Sequence, residues 1–447
     1  MAFSAPGHPA SPVGRGSCPS VHAPFVEVDG ALARIRLPGG ALTPAAAAAL
    51  ARAATDVGAG PLELTNRANI QLRGIPLDAV VAVRDALVAA GLAVADPDAD
   101  ERRNVLASPT AGVDPDELVD TRPLVAEIAA QLGSSERAGL SPKFGVLVDG
   151  GGAVHVRGRR HDLALGAARR GDGTVRYEVR LGEALPVAPD AGEEGWAVAP
   201  PGAGRVAAAV IDACAPFGRA ADLLAALGPD AAWADIGRRA GGTLRRGGAL
   251  TGRSGTTRSP VGVHPQRQAG RVWIGITPLL GRLEPGTLEA LAALAERASV
   301  GELRITPWRG LVLRDVAAPD AATITQACVQ LGLTCDPTHP ANLVVACAGS
   351  RGCSAGLADT QTDARALVAR LAALPAGQHP RSVHLSGCEK GCARAQPAQV
   401  SLVAGGVPGT YDLYGDGPDA PSPHFGHLRR RGLDPQSALD AVARGPA

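Results

Sequence analysis

The sequence predicts an α+β fold in which the second half of the chain repeats the first. Three observations predict this fold: a gapless internal repeat, alternating strand and helix patterns in each copy, and cysteines with ligand-like spacing in the second half alone. With 447 residues the chain is long enough for about two to four domains. We therefore expect two related halves with a cleft between them.

The repeat matches residues 31–75 with residues 272–316 at a constant offset of 241. The segments "ARIRL" and "IQLRG" alternate with period two, whereas "PAAAAALARAA" and "LEALAALAERA" have helical apolar spacing. Each copy therefore predicts strand, turn, helix and strand, and a proline suits the first turn of each helix. The matched pairs include Gly40 and Gly281, Leu42 and Leu283, Pro44 and Pro285, Thr65 and Thr306, and Arg73 and Arg314.

A longer segment with mixed strand and helix patterns follows each copy. It contains "SPKFGVLVDG" in the first half and "SVHLSGCEKG" in the second. Aligning these two segments along their length needs small shifts in register. The predicted units are a disordered leader at 1–20, small βαβ-type units at 21–82 and 269–330, larger α+β domains at 98–240 and 336–430, and a linker at 241–268.

Composition excludes several classes of protein. The net charge is +1, from 44 basic and 43 acidic residues, so the basic excess of a nucleic-acid or membrane-surface protein is missing. No apolar run approaches the roughly 18 residues that a membrane span needs. The N-terminal stretch lacks the charged and apolar regions of a secretory signal. We expect a cytoplasmic protein, in which clustered cysteines more often bind metal than form disulfides.

Four of the eight cysteines are spaced as ligands, with five residues between the first two in "CAGSRGC" and three between the last two in "CEKGC". Thiolates suit both iron–sulfur clusters and zinc, but structural zinc sites usually use closer pairs. The small residues between the first two cysteines allow the backbone to approach cluster sulfurs closely, and Arg351, Lys390 and Arg394 would offset the cluster's negative charge. These spacings favour a [4Fe–4S] cluster over zinc or unligated thiols, held by Cys347, Cys353, Cys388 and Cys392.

These cysteine pairs on a duplicated chain resemble those of the sirohaem-dependent nitrite and sulfite reductases. Further matching stretches are "RLPGG", "LTNRANIQLRG", "RNVL" and "PKF", and the resemblance spans roughly residues 20–420. It implies an internally duplicated fold of two ferredoxin-like half-domains and two larger α+β domains, with the cluster in the second half. It also implies that basic side chains hold a carboxylate-rich tetrapyrrole, namely Arg36, Arg67, Arg103, Lys143 and Arg309. Any one such residue alone is more commonly a solvated strand residue.

One departure is informative. The reductases typically read Pro-Arg-Lys-Phe-Lys, where the second lysine helps to deliver protons, but this chain has "SPKFGV" with Gly145 at that place. The stretches "TPWRG" and "HLSGCEKGCA" resemble the precorrin-3B synthase branch of cobalamin biosynthesis. That branch implies O₂-dependent hydroxylation of precorrin-3A with lactone formation, a mononuclear non-haem iron beside the cluster, and an external NADH-linked electron donor.

Two alternatives stand beside this interpretation. One is a nitrite or sulfite reductase containing sirohaem, and the other is an iron–sulfur electron-transfer module, for which the duplicated chain and the arginines would have no use. His384, which matches Lys143 at the offset of 241, is a weak candidate ligand of the mononuclear iron, although a structural histidine is more common. No role is predicted for the remaining cysteines, Cys18, Cys214, Cys328 and Cys335.

Overall fold

The structure is a computed structural model that describes residues 18–444. Its gaps fall at 135–136, 138, 186–194, 248–249, 252–256, 299, 395 and 418–423. Most of the leader predicted at 1–20 therefore lies outside the described residues. No helix within the described ranges is both long and apolar enough to cross a bilayer.

The first small unit is built from strands around one long helix. The N-cap of that helix is Thr43, whose side chain accepts a hydrogen bond from Ala46 N, and Pro44 occupies the first turn as predicted. The elements are β1 (Phe25–Glu27), β2 (Gly30–Ile35), β3 (Ala41–Leu42), α1 (Pro44–Asp56), β4 (Leu62–Leu64), β5 (Ile70–Ile75) and α2 (Val80–Ala89).

The first larger unit contains a seven-stranded sheet. Its strand order is β11-β10-β9-β8-β7-β6, with β12 paired to β8. The elements are α3 (Pro97–Arg102), β6 (Val105–Ala107), α4 (Arg122–Leu132), β7 (Val146–Asp149), β8 (Leu163–Arg170), β9 (Val175–Leu181), β10 (Gly195–Val198), α5 (Ala203–Cys214), α6 (Ala220–Leu227), α7 (Pro229–Arg239), β11 (Arg245–Gly247) and β12 (Leu250–Thr251).

The small unit of the second half repeats the first at an offset of 241 through the matched strands and the long helix, and a smaller five-stranded unit follows it. The elements are β13 (Gly262–Pro265), β14 (Arg271–Ile276), β15 (Arg282–Leu283), α8 (Pro285–Arg297), β16 (Leu303–Ile305), β17 (Leu311–Ala317), α9 (Ala321–Gln330), β18 (Val344–Ala346), α10 (Thr360–Ala372), β19 (Val383–Ser386), β20 (Val400–Ala404), β21 (Tyr411–Gly415), β22 (His427–Leu433) and α11 (Pro435–Ala443). The last sheet has the order β18-β19-β20-β21-β22.

The two small units exchange their edge strands. The first sheet has the order β1-β2-β5-β4-β15 and the second β13-β14-β17-β16-β3, so each sheet ends in a strand from the other half. Arg282 in β15 pairs in register with Glu63 in β4, and Arg304 in β16 pairs with Ala41 in β3. Helices α1 and α8 pack together, and one hydrophobic core contains residues of both units.

The segment predicted as a linker, 241–268, is more structured than expected. Its described parts contribute β11 and β12 to the first large sheet and β13 to the second small sheet. The second large unit also continues past residue 430, because α11 packs on the same core as α10. Hydrogen bonding along sheet edges, which the Gly-rich composition does not reveal, accounts for the first difference.

Candidate active site

A cavity of about 410 Å³ lies between the first small sheet and the loops that carry the four cysteines. Strand alternation explains the wall of this cavity, which we call the cleft. In β2, Ala33 and Ile35 face the shared core, whereas Leu32 and Arg34 line the cleft. The same alternation places Gln71 and other β5 side chains on the cleft wall.

The cysteine loops, residues 347–353 and 386–392, follow β18 and lie at the end of β19, at the same edge of the sheet. All four predicted cluster cysteines line the cleft. Gly387 N donates a hydrogen bond to the Cys347 sulfur at 3.1 Å, as expected for backbone groups that face a cluster. Gly349 has φ +65°, and a Cβ there would lie 2.6 Å from the hydroxyl of Thr360, so glycine is required.

Two arginines tether these loops to the small units. Arg73 forms an ion pair with Asp29 at 2.9 Å and donates to the carbonyl of Gly352. Arg309 donates to the carbonyl of Ala393 at 2.7 Å and to that of Ala346 at 3.4 Å, so it contacts both sides of the cysteine site. Arg309 adopts φ +61°, a conformation that costs a non-glycine residue about 1 kcal/mol or more.

The four thiols fit an iron–sulfur cluster by donor chemistry and charge. Burial raises the pKa of Cys353 and Cys392, and the neighbouring cysteines raise them further, so bound iron would be needed to hold four thiolates together. Lys390 and Arg309 line the same cleft and supply positive charge. Arg351, which the sequence predicts to offset the cluster's charge, is exposed and pairs with Asp359.

The basic residues predicted for the tetrapyrrole separate into groups. Arg67 and Arg309 line the cleft. Arg36 and Arg103 instead line a second cavity, of about 600 Å³, together with Arg122 and Arg304. Arg36 is 2% exposed, and its Nη1 atom has no hydrogen-bond partner in the structure. Arg103 is held by Asp100 at 2.8 Å.

Lys143 is exposed and is not among the residues that line either cavity. Gly145, two residues further on, instead packs against Arg67, which lines the cleft. A Cβ at Gly145 would lie 3.3 Å from Nη1 of Arg67, 3.2 Å from Nδ2 of Asn104 and 3.3 Å from Cδ2 of His161. The position that holds a lysine in the reductases is thus packed against a guanidinium group of the cleft.

Sequence reasoning missed Arg159 and gave His161 no role. Arg159 lies 5.7 Å from the ring centre of Trp308 and donates to the carbonyl of Asn66 at 3.3 Å. Burial lowers the pKa of His161 to about 4, with the charges of Arg67 and Arg159 acting in the same direction. The only signal in the sequence is the basic run "RGRRHD", which has no distinctive spacing.

The match of His384 to Lys143 is wrong. Strands β7 and β19 correspond at an offset of 237, so the counterpart of His384 is Leu147. The shift arises because two segments of the first half, between β5 and β6 and between β6 and β7, are longer than their counterparts in the second half. His384 nevertheless shares a strand face with Ser386, which lines the cleft, while Val383 and Leu385 enter the core.

His384 is fully buried, and neither ring nitrogen has a hydrogen-bond partner. Burial lowers its pKa to about 3, with Arg309 and Arg394 contributing, so the imidazole is neutral. In the part of the chain that the structure describes, no three His, Cys, Asp or Glu side chains lie where they could hold one metal ion. The mononuclear iron therefore stays a prediction of the resemblance.

Family models match most of this architecture. The Nitrite/Sulfite reductase ferredoxin-like half domain matches residues 27–90 and 264–331, and the Nitrite and sulphite reductase 4Fe-4S domain matches residues 98–229. The chain belongs to the nitrite and sulfite reductase family. The match to the 4Fe-4S domain falls on the first large unit, whereas the four cysteines lie in its structural repeat in the second half.

Individual relatives of this family lead to the same assignment. A precorrin-3B synthase of Sinorhizobium sp is 30% identical over 90% of this chain and 83% of that protein. A ferredoxin–nitrite reductase of Synechococcus elongatus is 31% identical over 84% of this chain and 76% of that protein. The predicted resemblance to the family and to its precorrin-3B synthase branch is confirmed.

A solved structure supports the fold. The NirA protein of Mycobacterium tuberculosis has a TM-score of 0.73 at 23% identity, covering 93% of this chain and 80% of that one. The predicted duplicated nitrite/sulfite-reductase-like fold is thereby confirmed. Family membership also supports a [4Fe–4S] cluster and places the chain among oxidoreductases.

Proposed function

We propose that the protein is an O₂-dependent monooxygenase of the precorrin-3B synthase type. Its substrate would be a polycarboxylate tetrapyrrole, precorrin-3A, which it hydroxylates with lactone formation in cobalamin biosynthesis. Electrons would come from an external NADH-linked donor in the cytoplasm. The observation that carries the proposal is Gly145, which stands in place of a proton-delivering lysine and packs against Arg67, one of the arginines that line the cleft.

The cleft suits a macrocycle with many carboxylates. Arginine forks bind carboxylates through paired hydrogen bonds, and Arg34, Arg67 and Arg309 present guanidinium groups to one cavity. Apolar side chains such as Leu32 and Leu64 offer contact area for the ring itself. These residues would bind and orient the macrocycle and keep water from its face.

The missing lysine favours a tetrapyrrole substrate over a small anion. Reduction of nitrite or sulfite consumes several protons, so a protonated side chain at the anion is useful there. At this place the chain has Gly145, and the adjacent His161 is neutral because its pKa is about 4. A hydroxylation that involves fewer proton transfers is more compatible with these two residues.

The cluster would be held by Cys347, Cys353, Cys388 and Cys392. When bound, a [4Fe–4S] cluster supplies one-electron transfer. The chain's own part is to hold the two cysteine loops in place, through Arg73 at Gly352 and Arg309 at Ala346 and Ala393. His384, buried and neutral on the cleft side of β19, is proposed as a ligand of the mononuclear iron.

The second candidate is a nitrite or sulfite reductase with sirohaem. It is favoured by the nitrite reductase relative, whose identity to this chain equals that of the synthase within one percentage point. The same arginines would then hold sirohaem as a cofactor. The two candidates differ in whether the tetrapyrrole stays with the protein or leaves as product.

Chromophore extraction separates these candidates. The protein is purified without oxygen, extracted with acidified acetone, and its reduced form is examined by electron paramagnetic resonance. We expect a [4Fe–4S] signal and no extractable sirohaem. Sirohaem recovered in proportion to the cluster would overturn the proposal and assign a reductase.

Isotope labelling then tests the reaction. Precorrin-3A, a chemical reductant and ¹⁸O₂ are incubated with the protein, and the product is examined by mass spectrometry. We expect one labelled oxygen atom in the product, and unlabelled product would contradict an oxygenase. Gly145→Lys should lower turnover, because the new cation lies against Arg67, while Gly145→Ala should have a smaller effect.

A further inference from the structure

A third cavity, of about 570 Å³, lies in the first large unit, and we call it the basic cavity. It is lined by residues at the ends of β8 and β10, by the start of β9, by the beginning of β11 and by Gly202, which precedes α5. In the part of the chain that the structure describes, no acidic residue lines it, and none of its lining residues belongs to the cleft. Four arginines line it, namely Arg170, Arg176, Arg245 and Arg246.

Strand register explains why most of these arginines face one cavity. Arg176 in β9 pairs with Ala168 in β8, and Arg170 lies two residues beyond Ala168, so both arginines project from the same face of the sheet. Arg245 in β11 pairs with Ala197 in β10, whose pairing with β9 puts it on that face too. Three guanidinium groups are therefore gathered on one side of the sheet, where long side chains of neighbouring strands can reach the same ligand.

The positive charge of the basic cavity is not neutralised by the protein. None of its four arginines forms an ion pair within the described ranges, and Nε of Arg170 is buried without a hydrogen-bond partner. Two acids that lie near in sequence are engaged elsewhere. The exposed carboxylate of Asp172 accepts hydrogen bonds from Thr174 at 2.7 and 2.9 Å, and Glu178 pairs with Arg180 at 2.7 Å. An anion from outside the chain is needed to balance these charges.

Arginines in this number suit phosphate groups. A guanidinium fork donates two parallel hydrogen bonds to a phosphate, so several forks can bind the oxygens of one diphosphate. The volume of about 570 Å³ exceeds that of one small ion, since a water molecule occupies about 30 Å³ in the liquid. Arg246 is held over the ring of Trp196, 5.7 Å from its centre, and Trp196 stacks on Trp233. The fourth guanidinium group thus has a fixed aromatic support.

The glycines at the start of α5 do not make this a dinucleotide-binding fold. Residues 202–207 read "GAGRVA" after β10, which formally matches the fingerprint G-x-G-x-x-A. That fingerprint belongs to a parallel sheet, whereas β10 is antiparallel to both of its neighbours. A Cβ at Gly204 would clash with the carboxylate of Glu127, so this glycine allows α4 and α5 to pack. Recognition at the basic cavity therefore depends on the arginine side chains.

We infer that the basic cavity binds a diphosphate group, carried either by a nucleotide or by a free diphosphate. The inference goes beyond the proposed function, because the basic cavity shares no lining residue with the cleft. It applies equally to a synthase and to a reductase. A bound diphosphate would neutralise Arg170, Arg176 and Arg245 together and would link the edge strand β11 to β8 and β9.

The test measures binding of inorganic pyrophosphate to the full chain by isothermal titration calorimetry. We expect a single saturable site, and Arg176→Gln and Arg245→Gln should each weaken binding at least about tenfold. Arg238→Gln is the matched control, because it removes an exposed arginine of the same unit that already pairs with Asp235 at 3.0 Å. Arg67→Gln, which removes a guanidinium group of the cleft, should also leave pyrophosphate binding unchanged.

The same variants can overturn the inference. Arg245 is exposed, so Arg245→Gln should unfold at the native temperature without ligand, and pyrophosphate should raise that temperature only in the native protein. Binding that is lost in Arg67→Gln but kept in Arg245→Gln would place the anion in the cleft and contradict the inference. Orthophosphate or citrate binding as tightly as pyrophosphate would contradict a diphosphate site.

Adenosine diphosphate distinguishes the two sources of the diphosphate group. Tighter binding of adenosine diphosphate than of pyrophosphate would identify a nucleotide as the ligand, and weaker binding would identify a free diphosphate. Either result supports the inference if Arg176→Gln and Arg245→Gln weaken binding of both compounds. Adenosine diphosphate binding that neither variant changes would contradict it.

Discussion

The two large units share a fold, but their equivalent loops are held together by different means. Strands β6 and β18 correspond at an offset of 239, and β7 and β19 at 237. The loops 108–114 and 149–155, which we call the stapled loops, are thus the counterparts of the cysteine loops. The equivalent pairs are Ser108 and Cys347, Asp114 and Cys353, Gly151 and Cys388, and His155 and Cys392.

Hydrogen bonds close the stapled loops where the second half has thiols. The hydroxyl of Ser108 donates to the carbonyl of Val154 at 2.6 Å, and Val154 N donates to Asp114 at 3.1 Å. The faces of the two small sheets that lie against these loops also differ. The counterparts of Leu32 and Gln71 are Trp273 and Val312, which pack with Val113 and Val154 into a small apolar cluster. One fold therefore gives an open cleft in one place and a filled one in the other.

The largest expected difference concerns the thiols themselves. Cys347→Ser places in the second unit the residue type that its counterpart Ser108 has in the first. We expect it to abolish the cluster, because a hydroxyl is a poor ligand for iron–sulfur centres. Iron and acid-labile sulfide analysis measures the loss. Ser108→Ala should leave both contents unchanged, and loss of sulfide in that variant would contradict the assignment.

The hydrogen bonds that close the stapled loops should contribute substantially to the stability of the folded protein. Asp114→Ala removes the acceptor for Val154 N and for Asp116 N, and it leaves the buried N–H of Val154 unpaired. We expect the free energy of unfolding to fall by about 3 kcal/mol, as for loss of buried hydrogen bonds. Urea titration measures this change. An unchanged midpoint would show that the stapled loops need no such closure.

Glu117, a buried carboxyl close to the stapled loops, should make the stability of the folded protein depend on pH. Burial raises the pKa of Glu117 from 4.5 to about 8, so the folded protein retains a proton that the unfolded chain loses. Its contribution to stability is complete below pH 4.5 and decreases as the pH rises towards 8. Glu117→Gln should remove this decrease and stabilise the protein at alkaline pH by about 2 kcal/mol.

Unfolding in urea at several pH values measures the dependence. The difference between Glu117→Gln and the native protein should disappear near the ordinary pKa of the carboxyl. If the free energy of unfolding changed with pH equally in the two proteins, a buried protonated Glu117 would be contradicted. Glu183→Gln, which changes an exposed carboxyl, is the control.

The smallest effect concerns a pair of equivalent turn residues. Ala68 and Arg309 are related by the offset of 241 and adopt φ +56° and +61°. Ala68→Gly relieves the backbone strain of a positive φ but adds conformational freedom to the unfolded chain. We therefore expect the free energy of unfolding to rise by about 0.5 kcal/mol. Arg309→Gly also loses the bonds to Ala346 and Ala393, so it should destabilise the protein. Thermal unfolding of both variants measures the difference in stability. A rise in stability for both would contradict a stabilising role of the bonds from Arg309 to Ala346 and Ala393.

The small units could be predicted in detail because a gapless repeat fixes strand, turn and helix together. Both long helices begin at the predicted proline, Pro44 and Pro285. The cysteine pairs were equally clear, since ligand spacing is local. The register of the large units was not predictable in the same way. Insertions between strands change the offset from 241 to 239 and 237, which is why the match of His384 failed.

The cleft was only partly predictable for a spatial reason. Arg67 and Arg309 lie in motifs, and the structure places both at the cleft. Arg36, just after β2, and Arg103, just after α3, also lie in motifs but line the second cavity. Arg159 has no motif, and its place depends on the packing of one half against the other. Local patterns do not contain that information.

The exchanged edge strands bear on how such a molecule could arise. Each small sheet is completed by β3 or β15 from the other half, as in a dimer whose subunits have traded strands. Joining two such subunits into one chain would free the copies to diverge. Only then could one set of loops lose its thiols while the other kept them. The same exchange means that neither half, produced alone, would have a complete sheet, and each would expose an edge open to aggregation.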